Sequence, residues 1–268
     1  MKKLTVLCDN NTFIDQYLLA EPALSFLIEV NGKKILFDFG YSDVYARNAE
    51  RLGIDLDEVD MAVLSHGHND HTGGLSSWHG KRIVLLCHPE CIGKTVFDGL
   101  DIGNSLGIQE MTERFDVRFS KEPVWMTEDC CFLGEIPAIT DFEQRSAIGK
   151  RWDECVWKDD YVMEDSALAI KTKHGLWVVT GCSHAGICNI IEYAKRVTKM
   201  DKVAGVIGGF HLLKQDEKLN KTIQKLKEFQ IEQLIPCHCV NLKSKIEMSK
   251  TLEIEEAGCG LQISLENE

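Results

Sequence analysis

One short stretch, Ser65-His66-Gly67-His68-Asn69-Asp70-His71, constrains what this chain can fold into more than any other. It follows directly on Met61-Ala62-Val63-Leu64, an apolar run that reads as a short buried strand, and it precedes Gly73-Gly74, where the chain bends. In an extended segment, side chains two residues apart point the same way, so His66 and His68 can grip one ion together. Asp70 and His71 lie on the turn beyond and would face a second ion. One tetrahedral zinc has no room for all four and for ligands from elsewhere, whereas two ions about 3.5 to 4 Å apart can share them.

The remaining pattern says where other ligands would arrive. Strands are expected at Leu4 to Cys8, Ser25 to Val30 and Lys34 to Phe39, with Asn31-Gly32 as a hairpin turn. A helix follows at Asp43 to Leu52, and Arg82 to Cys87 is another apolar strand. Candidate strands come next at Val117 to Ser120, Val124 to Thr127 and Cys131 to Leu133, and the segment Asp141 to Asp165 is rich in charge and aromatics without a clear period. Ala167 to Thr172 and Leu176 to Thr180 form a second expected hairpin. Three strand-then-helix units then have strands ending at Gly181, Phe210 and Cys237, with helices at Ile187 to Val197, Asp216 to Phe229 and Leu242 to Leu252, and a last strand near Leu261 to Leu265. Strands in a run, then strand-helix alternation, imply an α/β fold of two sheets packed face to face with helices outside. His66, His68, His71, His184, His211 and His238 all fall just after an expected strand. Ligands of open α/β sheets bind at the carboxyl ends of strands, so these loops should meet in one crevice.

At 268 residues, with 44% hydrophobic and 27% charged residues, the chain is expected to form one globular domain over residues 1–268, with a variable segment near 141–165. A net charge of -12 repels phosphate backbones, so a small-molecule substrate is expected rather than nucleic acid. The first apolar run is too short for a signal-peptide core, and no run would cross a bilayer. Eleven cysteines, an odd number without scaffold spacing, point to a reducing cytoplasm and hint at a low-oxygen source. Cys130-Cys131 and Cys237-x-Cys239 lack zinc-finger spacing.

The stretch Ser65 to Leu75 resembles the signature of the metallo-β-lactamase superfamily, and Asp38 in Leu36-Phe37-Asp38-Phe39-Gly40 is similar to its earlier aspartate motif. Thr180-Gly181-Cys182-Ser183-His184-Ala185-Gly186-Ile187, Ile207-Gly208-Gly209-Phe210-His211-Leu212 and Cys237-His238-Cys239 resemble the branch of dihydropterin ribofuranosyl-aminobenzene phosphate synthase-like proteins. The resemblance spans nearly the whole chain. It implies an αβ/βα sandwich of two mixed sheets and a metal-dependent hydrolase or transferase. It also implies that His66, His68 and His184 hold one ion while Asp70, His71 and His238 hold the other. The ions would be divalent transition metals, zinc first, with iron or manganese also compatible. Asp70 and His211 are the candidate catalytic residues, and Asp38 is expected to orient a ligand loop rather than bind metal.

Three departures from the family pattern bear on the substrate. A bridging aspartate would follow a Gly in many relatives; here Gly181-Cys182 offers a thiol instead, either a metal ligand or a buried inert group. Phe39 and Val240-Asn241 also replace commoner residues. Within the variable segment, Trp152, Trp157 and Tyr161 could stack on a flat heterocycle, and Arg145, Lys150 and Arg151 could meet a phosphate, or all could form a hydrophobic cluster with a solvated basic edge. His88 reads as structural, His174 as a hairpin residue and His79 as a solvated loop residue. The leading expectation is an enzyme acting on a small phosphorylated or pterin-like molecule, by hydrolysis or condensation. The alternatives are a general thioester or lactone hydrolase and a non-hydrolytic metal-binding or redox module.

Overall fold

The computed structural model describes residues 2–104 and 106–266. The first half of the chain lays down β1 (Lys3–Cys8), β2 (Ser25–Val30), β3 (Lys33–Phe37), helix α1 (Val44–Arg51), β4 (Met61–Val63), the short helix α2 (Asn69–Thr72) and β5 (Val84–Cys87). Next come β6 (Thr95–Phe97), β7 (Leu100–Asp101), helix α3 (Ile108–Arg114), β8 (Asp116–Phe119), β9 (Val124–Trp125), β10 (Cys130–Phe132), β11 (Lys150–Asp153) and β12 (Val156–Asp159). The second half adds β13 (Ala167–Thr172), β14 (Gly175–Thr180), α4 (Ile187–Thr198), β15 (Val203–Gly209), α5 (Glu217–Glu228), β16 (Gln233–Cys237), α6 (Leu242–Ser249) and β17 (Gln262–Ser264).

Among the described residues these strands make two large sheets, in the orders β17-β1-β2-β3-β4-β5-β8 and β16-β15-β14-β13-β10-β9, and a small sheet β12-β11-β6-β7. Both large sheets are mixed: β3, β4, β5 and β8 run parallel, as do β14, β15 and β16, while the hairpins are antiparallel. The period-2 alternation of each strand sorts its side chains between two buried faces. Phe26, Ile28, Ile35 and Phe37 of the first sheet meet Phe132, Leu168, Ile170, Trp177 and Ile207 of the second in the central layer. The other face of the first sheet, through Leu27, Leu36, Ala62 and Leu85, packs under Tyr45 and Ala49 of α1 and under Trp78 and Phe115. The outer face of the second sheet, through Val178, Val206 and Leu234, is covered by Ile187, Ile190 and Ile191 of α4, Leu219 and Ile223 of α5 and Met248 of α6. This is the sandwich of two mixed sheets with outer helices that the sequence implies.

The small sheet was not expected. In the segment read as irregular, β11 and β12 pair as a hairpin, with Trp152 opposite Trp157 and ring centroids 5.1 Å apart. Lys150–Asp159 and Lys158–Asp153 ion pairs, both 2.7 Å, flank them. No described helix is long and apolar enough to cross a membrane.

Candidate metal centre

The expected ligand loops leave the carboxyl ends of β4, β14, β15 and β16 and converge. His66 and His68 follow β4, His184 follows β14, and their nearest ring nitrogens all lie within 4.8 Å of one another. His66 Nε2 and His68 Nδ1 are 3.1 Å apart. Beside them, Asp70, His71, Cys182 and His238 form a second group. There His71 Nε2 lies 3.2 Å from His238 Nε2 and 3.3 Å from the Cys182 sulfur, and Asp70 Oδ2 lies 3.3 Å from His238 Nε2. Cys182 also falls within a third grouping with His184 and His211, so its sulfur stands between the two sets.

These residues fit metal ions on their own chemistry. Two nitrogens about 2.0 to 2.1 Å from one tetrahedral ion sit roughly 3.3 to 3.4 Å apart, close to the spacings found. Both ring nitrogens of the buried His184, together with His68 Nε2 and His211 Nδ1, have no hydrogen-bond partner. A buried polar group left unpaired costs about 1–3 kcal/mol, so a cluster of them is stable only with something else to bind.

The protonation pattern agrees. Burial, then the neighbouring imidazoles, holds His66 and His184 well below the ordinary histidine value, and burial first brings His68 down to about 4. All three therefore present lone pairs, the ligating form. Burial would lift the Asp70 carboxyl, but His71, His238 and His68 outweigh it and keep it below the usual carboxylate range. At His71 the balance reverses: burial lowers it, yet Asp70 and Asp38 push it up to about 9, so a positive charge is favoured where a cation would otherwise sit. Burial pushes the Cys182 thiol up. A bound cation would reverse that, since a coordinated thiol is deprotonated.

A polar scaffold aims these groups. Buried Asp38 accepts from the Ser65 amide (2.7 Å) and hydroxyl (2.6 Å) and from His71 Nδ1 (2.7 Å), and Ser65 Oγ lies 2.9 Å from His66 Nδ1. Gly181 must be glycine, because a Cβ there would lie 2.1 Å from Ser65 Oγ. Asp38, Ser183, His211 and His238 all adopt positive φ, a concentration of left-handed, non-glycine backbone at the ligand loops. Sequence reasoning missed Asp9 and Asn10, which follow β1: the Asp9 carboxylate accepts from the His238 amide, and Asn10 Oδ1 pairs with His238 Nδ1, each at 3.0 Å. The cue was a polar Asp-Asn-Asn run straight after an apolar strand. Cys239, also passed over, accepts from the His211 amide at 3.2 Å.

The centre floors a cleft of about 440 Å³, walled by Pro22, Tyr41, Phe97, Ile102 and Ile148, with His211 at one side. Arg145, Arg151 and Trp157, expected as substrate contacts, are not among its lining residues. Arg145 spends its guanidinium on the carbonyl oxygens of Ile136, Tyr161 and Val162. Arg151 holds those of Glu90 and Ile92 and pairs with the buried Glu164. Trp157 stays with Trp152 on the small hairpin. His88 is structural as expected, with Nδ1 accepting from the Glu90 amide and Nε2 3.0 Å from Glu135.

With that geometry in hand, comparisons with known proteins place the chain. The model of the metallo-beta-lactamase superfamily matches residues 19–140. A solved metal-dependent hydrolase of the beta-lactamase superfamily superposes with a TM-score of 0.87 over all of both chains at 27% identity. An uncharacterized protein of Methanocaldococcus jannaschii is 31% identical over 92% of this chain and 94% of its own length. From the same organism, 7,8-dihydropterin-6-methyl-4-(beta-D-ribofuranosyl)-aminobenzene-5'-phosphate synthase is 33% identical over 91% of this chain and 89% of its own. The chain belongs to the metallo-β-lactamase superfamily, as a metal-dependent enzyme of the branch that resembles this synthase.

Proposed function

We propose that the chain is a two-ion enzyme acting on a small phosphorylated or pterin-like molecule. The observation that carries this reading is the pair of ligand groups flanking Cys182 and opening onto one cleft whose remaining walls are largely apolar and aromatic. His66, His68 and His184 would hold one ion; Asp70, His71 and His238 would hold the other, with the Cys182 sulfur between them. Zinc is the first choice for this nitrogen, oxygen and sulfur donor set, with iron or manganese next. When bound, the pair supplies Lewis acidity and positive charge for a phosphoryl or carbonyl oxygen.

The chain's own residues do the rest. Asp38 keeps a proton of His71 on Nδ1, and Asn10 does the same for His238, so with an ion bound both Nε2 lone pairs would be free for it. The Asp70 carboxylate, kept ionised by His71, His238 and His68, can accept a hydrogen bond that orients an attacking group. His211, with a buried Nδ1 that lacks a partner, lines the cleft and could give a proton to a leaving group. Tyr41 and Phe97 offer faces for a flat ring. The relative's name, which joins a pterin to an aryl riboside phosphate, supports this substrate class. The acidic surface leaves the centre as the main local attraction for a small anion.

The test is a metal count followed by a substrate screen. Protein isolated anaerobically with metal supplied should carry close to two ions. It should turn over pterin pyrophosphates or phosphodiesters, and His66→Ala or Asp70→Ala should abolish this. Efficient turnover of thioesters or lactones, with the phosphorylated compounds inert, would overturn the substrate reading. Fewer than about one ion per chain after saturation would overturn the two-ion reading.

A further inference from the structure

We propose that the cleft carries a second, distal subsite for a phosphate monoester, formed by Lys214 and Lys218. The inference deepens the functional reading above and rests on it for the position of the reacting end. Past His211 the cleft continues into a further hollow of about 440 Å³. The two hollows share Phe97, Ile148 and His211, so they form one path from the metal floor outward. Along it the chemistry changes in order. The ligand groups come first, then the apolar stretch of Phe97, Ile148 and Leu213, then the two lysines. Phe97 and Leu213 are 47% and 49% exposed, large apolar side chains open towards solvent.

What sets these two lysines apart is their place at the outer end of the cleft rather than their lack of a carboxylate partner. With a net charge of -12, carboxylates are abundant, and surface lysines such as Lys150, Lys158 and Lys221 pair with one. Among the described residues neither Lys214 nor Lys218 forms an ion pair. The acids nearby are engaged: Asp216 shares the hollow, but its Oδ1 caps α5 by accepting from the Leu219 amide at 3.0 Å. Glu143, close enough to feel Lys218, is buried and accepts from the amides of Cys188 and Asn189. Two lysines thus line the hollow without an ion-pair partner. A phosphate monoester, near dianionic at neutral pH, matches them, and a flat ring linking it to the reacting end matches the apolar stretch.

The experiment compares flavin mononucleotide with riboflavin, a ring with and without the phosphate, by fluorescence quenching in metal-loaded and chelator-treated protein. Wild type should bind the mononucleotide about tenfold more tightly at low salt. Lys214→Gln/Lys218→Gln, which keeps the stems and breaks no ion pair, should erase that preference and leave riboflavin binding and metal content unchanged. No preference in wild type, or a preference that survives the double substitution, would overturn the subsite. In the second case, a preference that vanishes on chelation would place the phosphate on the ions. A chain that takes up no metal would defeat the two-ion reading, while the chelated comparison would still decide the lysines.

Discussion

Asp38→Asn should weaken one ion of the centre more than the other. The Asp38 carboxylate takes three donors: the Ser65 amide on Oδ1, and the Ser65 hydroxyl and His71 Nδ1 on Oδ2. An amide in the same slot has one acceptor oxygen and adds an NH2 group. If that oxygen stays on the Ser65 amide, the NH2 faces the imidazole. His71 must then offer Nδ1 as a lone pair and carry its proton on Nε2, the atom 3.2 Å from His238 Nε2 and 3.3 Å from the Cys182 sulfur. Outer partners of metal-bound histidines are worth about 10–100-fold in affinity, or roughly 1.4–2.7 kcal/mol. The loss should fall on the Asp70, His71 and His238 group. The other group feels Asp38 only through Ser65, whose hydroxyl is 2.9 Å from His66 Nδ1. Competition against a chromophoric chelator, with elemental analysis of each step, would read the two affinities. Equal affinities in variant and wild type, or a loss confined to the His66 group, would refute the argument.

Other perturbations give separate readouts. Cys182→Ser in cobalt-substituted protein should remove a sulfur-to-metal charge-transfer band; an unchanged spectrum would make the thiol a packing group. Arg151→Ala should destabilise the fold by about 1–3 kcal/mol, read as a lower melting temperature, because it leaves the Glu90 and Ile92 carbonyls and the buried Glu164 without their donor, and should leave turnover per folded molecule intact. A raised Michaelis constant with unchanged stability would instead make Arg151 a substrate contact. Burial, with Asp160 beside it, outweighs Arg151 and pushes Glu164 up to about 8 from an ordinary 4.5. A raised folded-state value means its contribution is fully present below pH 4.5 and is lost as pH rises towards 8. Glu164→Gln should flatten that decline in thermal scans from pH 5 to 9, and an unaltered slope would count against it.

The candidate centre was readable because most of its ligands announce themselves locally. A polar cluster of defined spacing after an apolar strand has few other uses, and strand ends followed by helices place His184, His211 and His238 at the same edge. The small hairpin was not readable, for two physical reasons. β11 and β12 have no buried face, so there is no alternation to detect. Their turn uses Glu154 and Cys155 at positive φ, where Asn-Gly or Asp-Gly would have signalled it. For Arg145 and Arg151 residue type gives charge but not partner: the same guanidinium suits a phosphate or a set of carbonyl oxygens, and the fold places carbonyls beside both. Lys214 and Lys218 went unnoticed because only the folded cleft shows which cations line it.

The ligands of each group come from both sheets, and this has a consequence for how the chain folds. His71 and His238 are separated by 167 residues, and His71 and Cys182 by 111. An ion joining them acts as a cross-link between distant parts of the chain, and closing loops of that length is entropically costly until packing has already brought the ends together. The early cluster around His66 can offer only part of a coordination shell while the rest of the polypeptide is still being synthesised. Full coordination appears only when the two sheets have docked. Metal uptake should therefore be a late event in folding, and bound ions should slow unfolding far more than they speed the search for the native state.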